Sequence, residues 1–456
     1  MARFLIAAAH KSSGKTVIST GLAAALTAQG HTVQCFKKGP DYIDPMWLST
    51  ASGRPCYNLD FNTLTTDEIS QLLAEKSQGA GIALIEANKG LYDGVNTDGS
   101  DSNAELAKQL NLPTILVIDC AGMTRGIAPL LIGYQVFDPD VNIAGIILNR
   151  VGGPRHEGKL RAAVTAHTDI PVIGAVANNP DLDIGERHLG LTTPAETGAL
   201  DQMIRRFGDI IGQSVDLELL AKIASTAPPL AAVKPKATNP IFTGLKIGIP
   251  RDASFGFYYP DDLEAFISQG ADLVFFDAIN APSLPEIDGL FIGGGFPEMN
   301  MAALAANTAL RTDIKNAIQA GLPTYAECGG LMYLCAAITW GEKQYPMCDV
   351  IDGNAIMQKR PQGRGYTRFS DTTDHPWGLA AQAFPAHEFH YARIDDLGDN
   401  TLFGREILRG HGTNGKQDGI VIHNLLAGFC HLRNTQTNPW VSNFLQFVAD
   451  KKQPEN

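Results

Sequence analysis

Residues 323–335 read Pro-Thr-Tyr-Ala-Glu-Cys-Gly-Gly-Leu-Met-Tyr-Leu-Cys and carry the clearest structural signal in the second half of the chain. A short apolar run reaches Glu327 and Cys328, two glycines follow at once, and Leu331, Met332 and Leu334 open a helical stretch. The pattern is a strand, a sharp turn and a helix, with a thiol at the corner. Such a turn holds a nucleophile out of the sheet, and the glycines let backbone N–H groups approach a developing oxyanion. A lone cysteine is more often a small buried core residue, so the pattern needs support from elsewhere in the chain.

Two other stretches supply it. Gly293-Gly294-Gly295-Phe296-Pro297-Glu298 follows the apolar strand Gly289-Leu290-Phe291-Ile292. Consecutive glycines there permit close approach to a ligand and could supply a second oxyanion donor, or could simply make a tight strand-to-helix turn. His431, in Gly428-Phe429-Cys430-His431-Leu432, lies past the apolar run Gly419-Ile420-Val421-Ile422. A cysteine nucleophile needs a base that the fold brings close. His387, His390 and His423 compete for that role, and spacing does not choose among them.

The first half alternates short Ile-, Val- and Leu-rich runs with helical stretches, the pattern of a parallel sheet covered on both faces. Strands are expected at 3–9, 32–36, 82–87, 114–119, 143–148 and 171–176. The first leads into Ala9-His10-Lys11-Ser12-Ser13-Gly14-Lys15-Thr16 and then a helix from Val17 to Leu26. Gly-Lys-Thr between strand and helix is the heart of a phosphate loop: backbone N–H groups cradle phosphates, Lys15 reaches the outer ones and Thr16 ligates magnesium. Ala9 stands where the usual first glycine would be. Downstream, Phe36-Lys37-Lys38-Gly39-Pro40-Asp41-Tyr42-Ile43-Asp44-Pro45 puts two lysines and two aspartates in one loop, suited to a metal ion and an anionic ligand, or to a capped turn. Glu86 ends a strand in a position to act on magnesium or its water, and Asp93 follows as a metal or substrate group. Asp119 ends another strand, as a supporting carboxylate or a helix cap.

Taken in order, Gly-Gly-Gly-Phe-Pro-Glu, Ala-Glu-Cys-Gly-Gly-Leu-Met-Tyr-Leu and the late Cys-His-Leu resemble the glutaminase domain of class I glutamine amidotransferases, in the branch that includes cobyrinic acid a,c-diamide synthase. The resemblance implies Cys328 as nucleophile on the glutamine amide, His431 as its base, and backbone N–H groups near Gly295 and Gly329 as the oxyanion hole. Ala386-His387-Glu388-Phe389-His390-Tyr391 resembles the branch's Gly-His-Glu-Phe-His-Tyr, with Ala for the first Gly. In the first half, residues 36–44 resemble its Phe-Lys-x-Gly-Pro-Asp-Tyr-Ile-Asp signature. Residues 86–94 resemble Glu-Gly-Val-Met-Gly-Leu-Tyr-Asp-Gly, with Ala87-Asn88-Lys89 replacing Gly-Val-Met. Glu186-Arg187-His188-Leu189-Gly190-Leu191 matches a further signature, and Gly365-Tyr366-Thr367-Arg368 a Gly-Tyr-Arg element imperfectly. Asn149 corresponds to an adenine-contacting Asn of related P-loop synthetases.

The resemblance spans residues 3–447 and implies an α/β protein. Residues 1–226 form a P-loop NTPase-like, dethiobiotin-synthetase-like parallel sheet domain, 227–243 a proline-rich linker, and 244–450 a class I glutamine amidotransferase-like α/β domain. The implied activity is ATP- and glutamine-dependent amidation of peripheral acetates of a tetrapyrrole, cobyrinate or hydrogenobyrinate, through an acyl phosphate and ammonia from glutamine. ATP would sit on Ser12, Ser13, Gly14, Lys15, Thr16 and Asn149, Mg2+ on Thr16, Asp41 and Glu86, and substrate on Lys37, Tyr42, Asp44 and Asp93. The changed residues 87–89 and the Lys37-Lys38 pair keep amidation of sirohydrochlorin or siroheme as the alternative. More distant is an ATPase switch with a non-catalytic second half. Such switches carry a lysine five residues before the loop lysine, where this chain has His10.

Composition sets the remaining bounds. The 456 residues are 44% hydrophobic and 18% charged, as in globular domains, and suffice for two or three of them. No apolar run reaches the about 18 residues of a membrane span, and Arg3-Phe4-Leu5-Ile6-Ala7 reads as a first strand rather than a signal peptide. Seven cysteines without a Cys-x-x-Cys pair fit a reducing cytoplasm rather than a disulfide framework or zinc site. A formal charge of -12 argues against general nucleic-acid binding and requires local cations for any anionic substrate. Whether the chain forms a homodimer is left open.

Overall fold

The computed structural model describes residues 1–187, 190–191, 200–231, 240–378 and 382–452. The chain divides into two compact units, Met1–Pro235 and Lys236–Asn456. Residues 188–189 of the Glu186 to Leu191 motif, 232–239 of the expected linker and 453–456 of the polar tail lie outside the described residues.

Among the described residues of the first unit, seven strands form one sheet: β1 (Ala2–Ala8), β2 (Val33–Lys38), β3 (Tyr57–Leu59), β4 (Ile82–Glu86), β5 (Thr114–Asp119), β6 (Ile143–Val151) and β7 (Val172–Ala177). Their order is β3-β2-β4-β1-β5-β6-β7, and every neighbouring pair is parallel. Successive side chains of a strand point to opposite faces, and both faces here are apolar: Phe4, Ile6 and Ala8 join one core, Leu5 and Ala7 the other. The expected parallel α/β architecture is therefore present. Of these strands only β3 was not foreseen. It is a three-residue edge strand, and the Asn58 amide inside it donates to Gly39 O and Asp41 O, both at 2.8 Å.

Helix α1 (Lys15–Ala28) starts directly after Gly14, whose φ of 86° turns the chain from β1 into the helix. Helix α2 (Ile43–Ser52) follows β2 after the Asp41 turn, where Asp41 Oδ1 accepts from Ile43 N and Asp44 N at 2.9 and 3.1 Å. The strand-end residues Lys37, Lys38 and Glu86 thus gather at one edge of the sheet with the start of α1.

The second unit is built on a mixed nine-stranded sheet among its described residues. Asp272–Phe276, Lys246–Pro250, Gly289–Ile292, Thr324–Glu327 and Leu425–Gly428 lie parallel in that order. Gln417–Ile422, Leu402–Arg409, Gly363–Asp371 and Ala383–His390 continue it antiparallel. Leu290, Ile292 and Ala326 face one core, while Phe291 and Tyr325 face the other, their rings stacked at 5.6 Å. A separate four-stranded sheet occupies part of the segment between the nucleophile turn and the return strands. No helix among the described residues is long and apolar enough to cross a membrane.

Candidate active sites

In the second unit, Thr324–Glu327 ends at Cys328, which has φ 48° and ψ -101° before the helix Gly329–Leu334 begins. A non-glycine residue at positive φ is strained, and here the strain turns the thiol off the strand end. The turn is pinned by Cys328 N donating to Gly428 O at 2.7 Å and Met332 N to Cys328 O at 3.1 Å.

The glycines are required by close approach. A Cβ on Gly295 would overlap the Ser254 carbonyl oxygen, one on Gly329 would lie 3.0 Å from Gly295 N, and one on Gly294 would lie 2.6 Å from His431 Cε1. Gly295 and Gly329 therefore meet backbone to backbone beside the thiol, with the His431 ring against the same loop.

His431 is hydrogen-bonded to the Cys328 thiol, and its Nδ1 lies 3.2 Å from Glu327 Oε2. Burial alone would favour the neutral ring, but the hydrogen bonds and charges of Cys328 and Glu327 outweigh it and push the pKa up to about 10. Geometry thus separates the four candidate histidines. His387 stacks on His431 at 4.8 Å, and burial, with His431 and Arg433 nearby, presses it well below the ordinary histidine range. His390 is stacked on Phe429 at 3.7 Å, with Nδ1 2.7 Å from Ala392 O. His423 is exposed in the turn before Leu425–Gly428.

In the first unit, Ser12 and Gly14 both take positive φ, so the loop wraps around the start of α1. The buried Ser13 donates from Oγ to His10 O at 2.7 Å. Asn149, at the end of β6, donates to Ser13 O at 2.9 Å, so its amide braces the loop. Lys15 Nζ donates to Lys89 O at 2.6 Å, and burial with the nearby Lys37 lowers its pKa to about 8.

Thr16 Oγ1 donates to Glu86 Oε1 at 3.2 Å, while Glu86 Oε2 is buried without a hydrogen-bond partner. Lys37, expected at the substrate, is 2% exposed, and its ammonium is enclosed by carboxylates: Asp44 Oδ2 at 2.5 Å, Glu86 Oε1 at 2.9 Å and Asp41 Oδ2 at 3.9 Å. Burial and the neighbouring Asp44 push Asp41 up to about 7. Burial raises Glu86 against the pull of Lys37, whereas at Asp44 Lys37 overcomes burial and holds the carboxyl below its ordinary value. Tyr42 is buried at the head of α2, and Asp93 is exposed, its Oδ2 accepting from Gly90 N at 2.9 Å.

Among the described residues no three His, Cys, Asp or Glu side chains converge as a metal site of their own. The Thr16 hydroxyl beside the orphaned Glu86 oxygen is still a donor pair that fits Mg2+, which takes one or two protein oxygens and completes its shell with phosphates and water.

Residues 4–191 match the CobQ/CobB/MinD/ParA nucleotide binding domain and residues 246–439 the CobB/CobQ-like glutamine amidotransferase domain. A protein of Magnetococcus marinus named cobyrinate a,c-diamide synthase is 41% identical, covering 98% of this chain and 97% of its own. Proteins of the same name from Methanosarcina acetivorans and Dehalococcoides mccartyi are each 38% identical, covering 94% and 98% of this chain and 92% and 98% of their own. The chain belongs to the cobyrinate a,c-diamide synthase family.

Within this cobyrinate a,c-diamide synthase family member, Cys328, His431, Gly295 and Gly329 come together in one unit, and Ser13, Gly14, Lys15, Thr16, Glu86, Asp44 and Asn149 in the other. Two contributions escaped the sequence. Glu327 touches His431; its signal was a carboxylate closing an otherwise apolar strand, which must find a partner when buried. Lys37 was expected at the substrate, and what the sequence did not reveal is its pairing with Asp44 and Glu86.

Proposed function

We propose that this protein forms amides on the peripheral acetate carboxylates of cobyrinate, or of the closely similar hydrogenobyrinate, using ATP and the amide nitrogen of glutamine. The observation that carries the reading is 41% identity over 98% of the chain to a protein named cobyrinate a,c-diamide synthase, together with the hydrogen-bonded Cys328 and His431. No relative described above bears a siroheme-related name, and that alternative loses its support. A built cysteine–histidine pair speaks against a non-catalytic second half.

In the glutaminase domain, which we place at 244–450, His431 holds the proton that the Cys328 thiol gives up, and Sγ bonds to the glutamine carboxamide carbon. Backbone N–H groups at Gly295 and Gly329 meet the negative oxygen. The C–N bond then breaks as the proton passes from His431 to the leaving nitrogen, releasing ammonia; water later hydrolyses the thioester to glutamate.

In the synthetase domain, placed at 1–226 with 227–243 as linker, the Ser12 to Thr16 loop binds ATP phosphates and Lys15 exchanges the Lys89 carbonyl for them. Asn149 braces the loop. Thr16 and Glu86 would hold Mg2+, with Asp41 beside them; the ion supplies charge neutralisation between phosphates. Lys37 favours the ionised forms of Asp44 and Glu86 and holds both carboxylates in place. Tyr42 and Asp93 border the acceptor. A carboxylate resists attack by an amine because hydroxide leaves poorly, and conversion to an acyl phosphate gives ammonia a better leaving group to displace.

The test is mass spectrometry of products after purified protein, ATP, magnesium and glutamine are given cobyrinate, sirohydrochlorin and siroheme in parallel. Two amides gained on cobyrinate is the expected result. Amidation confined to the other two acceptors would overturn it.

A further inference from the structure

Glu327 ends the strand Thr324–Glu327 immediately before the nucleophile and is 2% exposed. Its Oε2 lies 3.2 Å from His431 Nδ1, and its Oε1 accepts from Leu432 N at 2.8 Å and from the Tyr325 hydroxyl at 2.7 Å. We propose that Glu327 is the positioning residue of the glutaminase site: its carboxylate holds the Nδ1–H of His431 and so leaves Nε2 as the nitrogen that takes the Cys328 thiol proton. The inference rests on the glutaminase reading of the second unit.

A neutral imidazole carries one proton, and the partner of each ring nitrogen decides where it resides. An ionised carboxylate can only accept, so the nitrogen facing Glu327 keeps the proton and the other offers its lone pair to the thiol. Once the thiol proton arrives, the ring is an imidazolium beside a carboxylate in a buried place, where a charge-assisted hydrogen bond is strong.

The carboxylate is itself held. Tyr325, two residues earlier on the same strand face, donates to it, and the Arg405 guanidinium lies behind Tyr325 with Nη2 3.5 Å from the hydroxyl. Because the oxygen that Tyr325 meets, Oε1, also receives the amide of Leu432 while Oε2 faces the ring, Glu327 grips the histidine through both its ring and the peptide that follows it. His387 stacks on one face of the ring at 4.8 Å.

A purely architectural Glu327, anchoring Leu432 alone, behaves differently on substitution. In full-length Glu327→Gln the side-chain carbonyl can still accept from Leu432, but the amide NH2 faces Nδ1 and drives the ring proton to Nε2. The expected result is a fall of about 10²–10⁴-fold in kcat for glutamine hydrolysis. KM for glutamine stays within about threefold, and ATP-dependent amidation with ammonium chloride is unchanged. The pH midpoint of Cys328 alkylation by iodoacetamide, read by peptide mass spectrometry, rises by about one unit or more. Glu327→Asp, which keeps the charge at shorter reach, recovers part of kcat and holds the alkylation midpoint near that of the wild type.

Unchanged kcat and alkylation midpoint in Glu327→Gln would overturn the proposal. So would equal losses with glutamine and ammonium at an unchanged midpoint, which would mark Glu327 as architecture. Wild-type protein unable to hydrolyse glutamine would instead remove the glutaminase reading, and the alkylation midpoint would still decide whether Glu327 sets the His431 proton.

Discussion

Lys89 presents its carbonyl oxygen to Lys15 Nζ at 2.6 Å from a backbone φ of 40°, in the left-handed region. The carbonyl needs that conformation, and the lysine side chain does not. Lys89→Gly should keep the contact and stabilise the first unit by about 0.5–1 kcal/mol, the relief of strain exceeding the entropy cost of glycine. It also removes a like charge that acts on the buried Lys38. Urea unfolding monitored within residues 1–187 measures it, and a lower midpoint would contradict the strain argument.

Lys37 is the counter-charge of a buried cluster rather than a free cation. Lys37→Met should cost the first unit about 3–5 kcal/mol at neutral pH, because uncompensated buried carboxylates remain. Without the ammonium, Asp41, Asp44 and Glu86 bind protons more readily folded than unfolded, so acid favours the folded variant. Its deficit against the wild type should therefore shrink between pH 7.5 and 5.5. A deficit that grows over that range would rule out this role.

Two stacked histidines give the second unit opposite pH dependences. His387 is held neutral, its pKa far below the unfolded value of about 6.5, by burial, His431 and Arg433, with the Tyr259 hydroxyl 3.5 Å from its Nδ1. It weakens the fold as pH drops below that value, because the unfolded chain binds the extra proton. His431, raised to about 10, contributes stability that is complete below about 6.5 and is lost as pH climbs toward 10. Each group has a limiting slope of about 1.4 kcal/mol per pH unit. Hydrogen exchange of the strand amides around Phe384 and Leu426 should show greatest protection near neutrality. Removing the acid limb with His387→Phe is the control.

Cys328→Ala should lower glutamine-dependent amidation by about 10⁴-fold or more, because the covalent route disappears. Amidation with ammonium salts should persist within about twofold, since the first unit is untouched. Unchanged glutamine use would show that the thiol is not the nucleophile.

The parallel strands of the first unit could be read from the chain because each is a continuous apolar run bounded by breakers, as Phe4 to Ala8 shows. Tyr57–Leu59 could not, since Asn58 interrupts it and only pairing with β2 makes it a strand. The loop Ser12 to Thr16 was visible because its chemistry is local. The ion pair of Lys37 could not be read because its partner Glu86 lies 49 residues away. His431 could not be told from His387 by spacing, as the two sit opposite each other in a bridge that exists only in three dimensions. Glu327 stood in the most closely read stretch of all and drew no role, because nothing beside it in sequence reveals a buried imidazole.

Glu327 pairs with Gly428 across the last parallel strands, and the imidazole that Glu327 holds lies 104 positions further along the chain. During synthesis the thiol therefore emerges about a hundred residues ahead of the groups that would activate it. On the proposed mechanism the Cys328–His431 pair exists only once the final strands are in place, so a chain cut short before His431 lacks it.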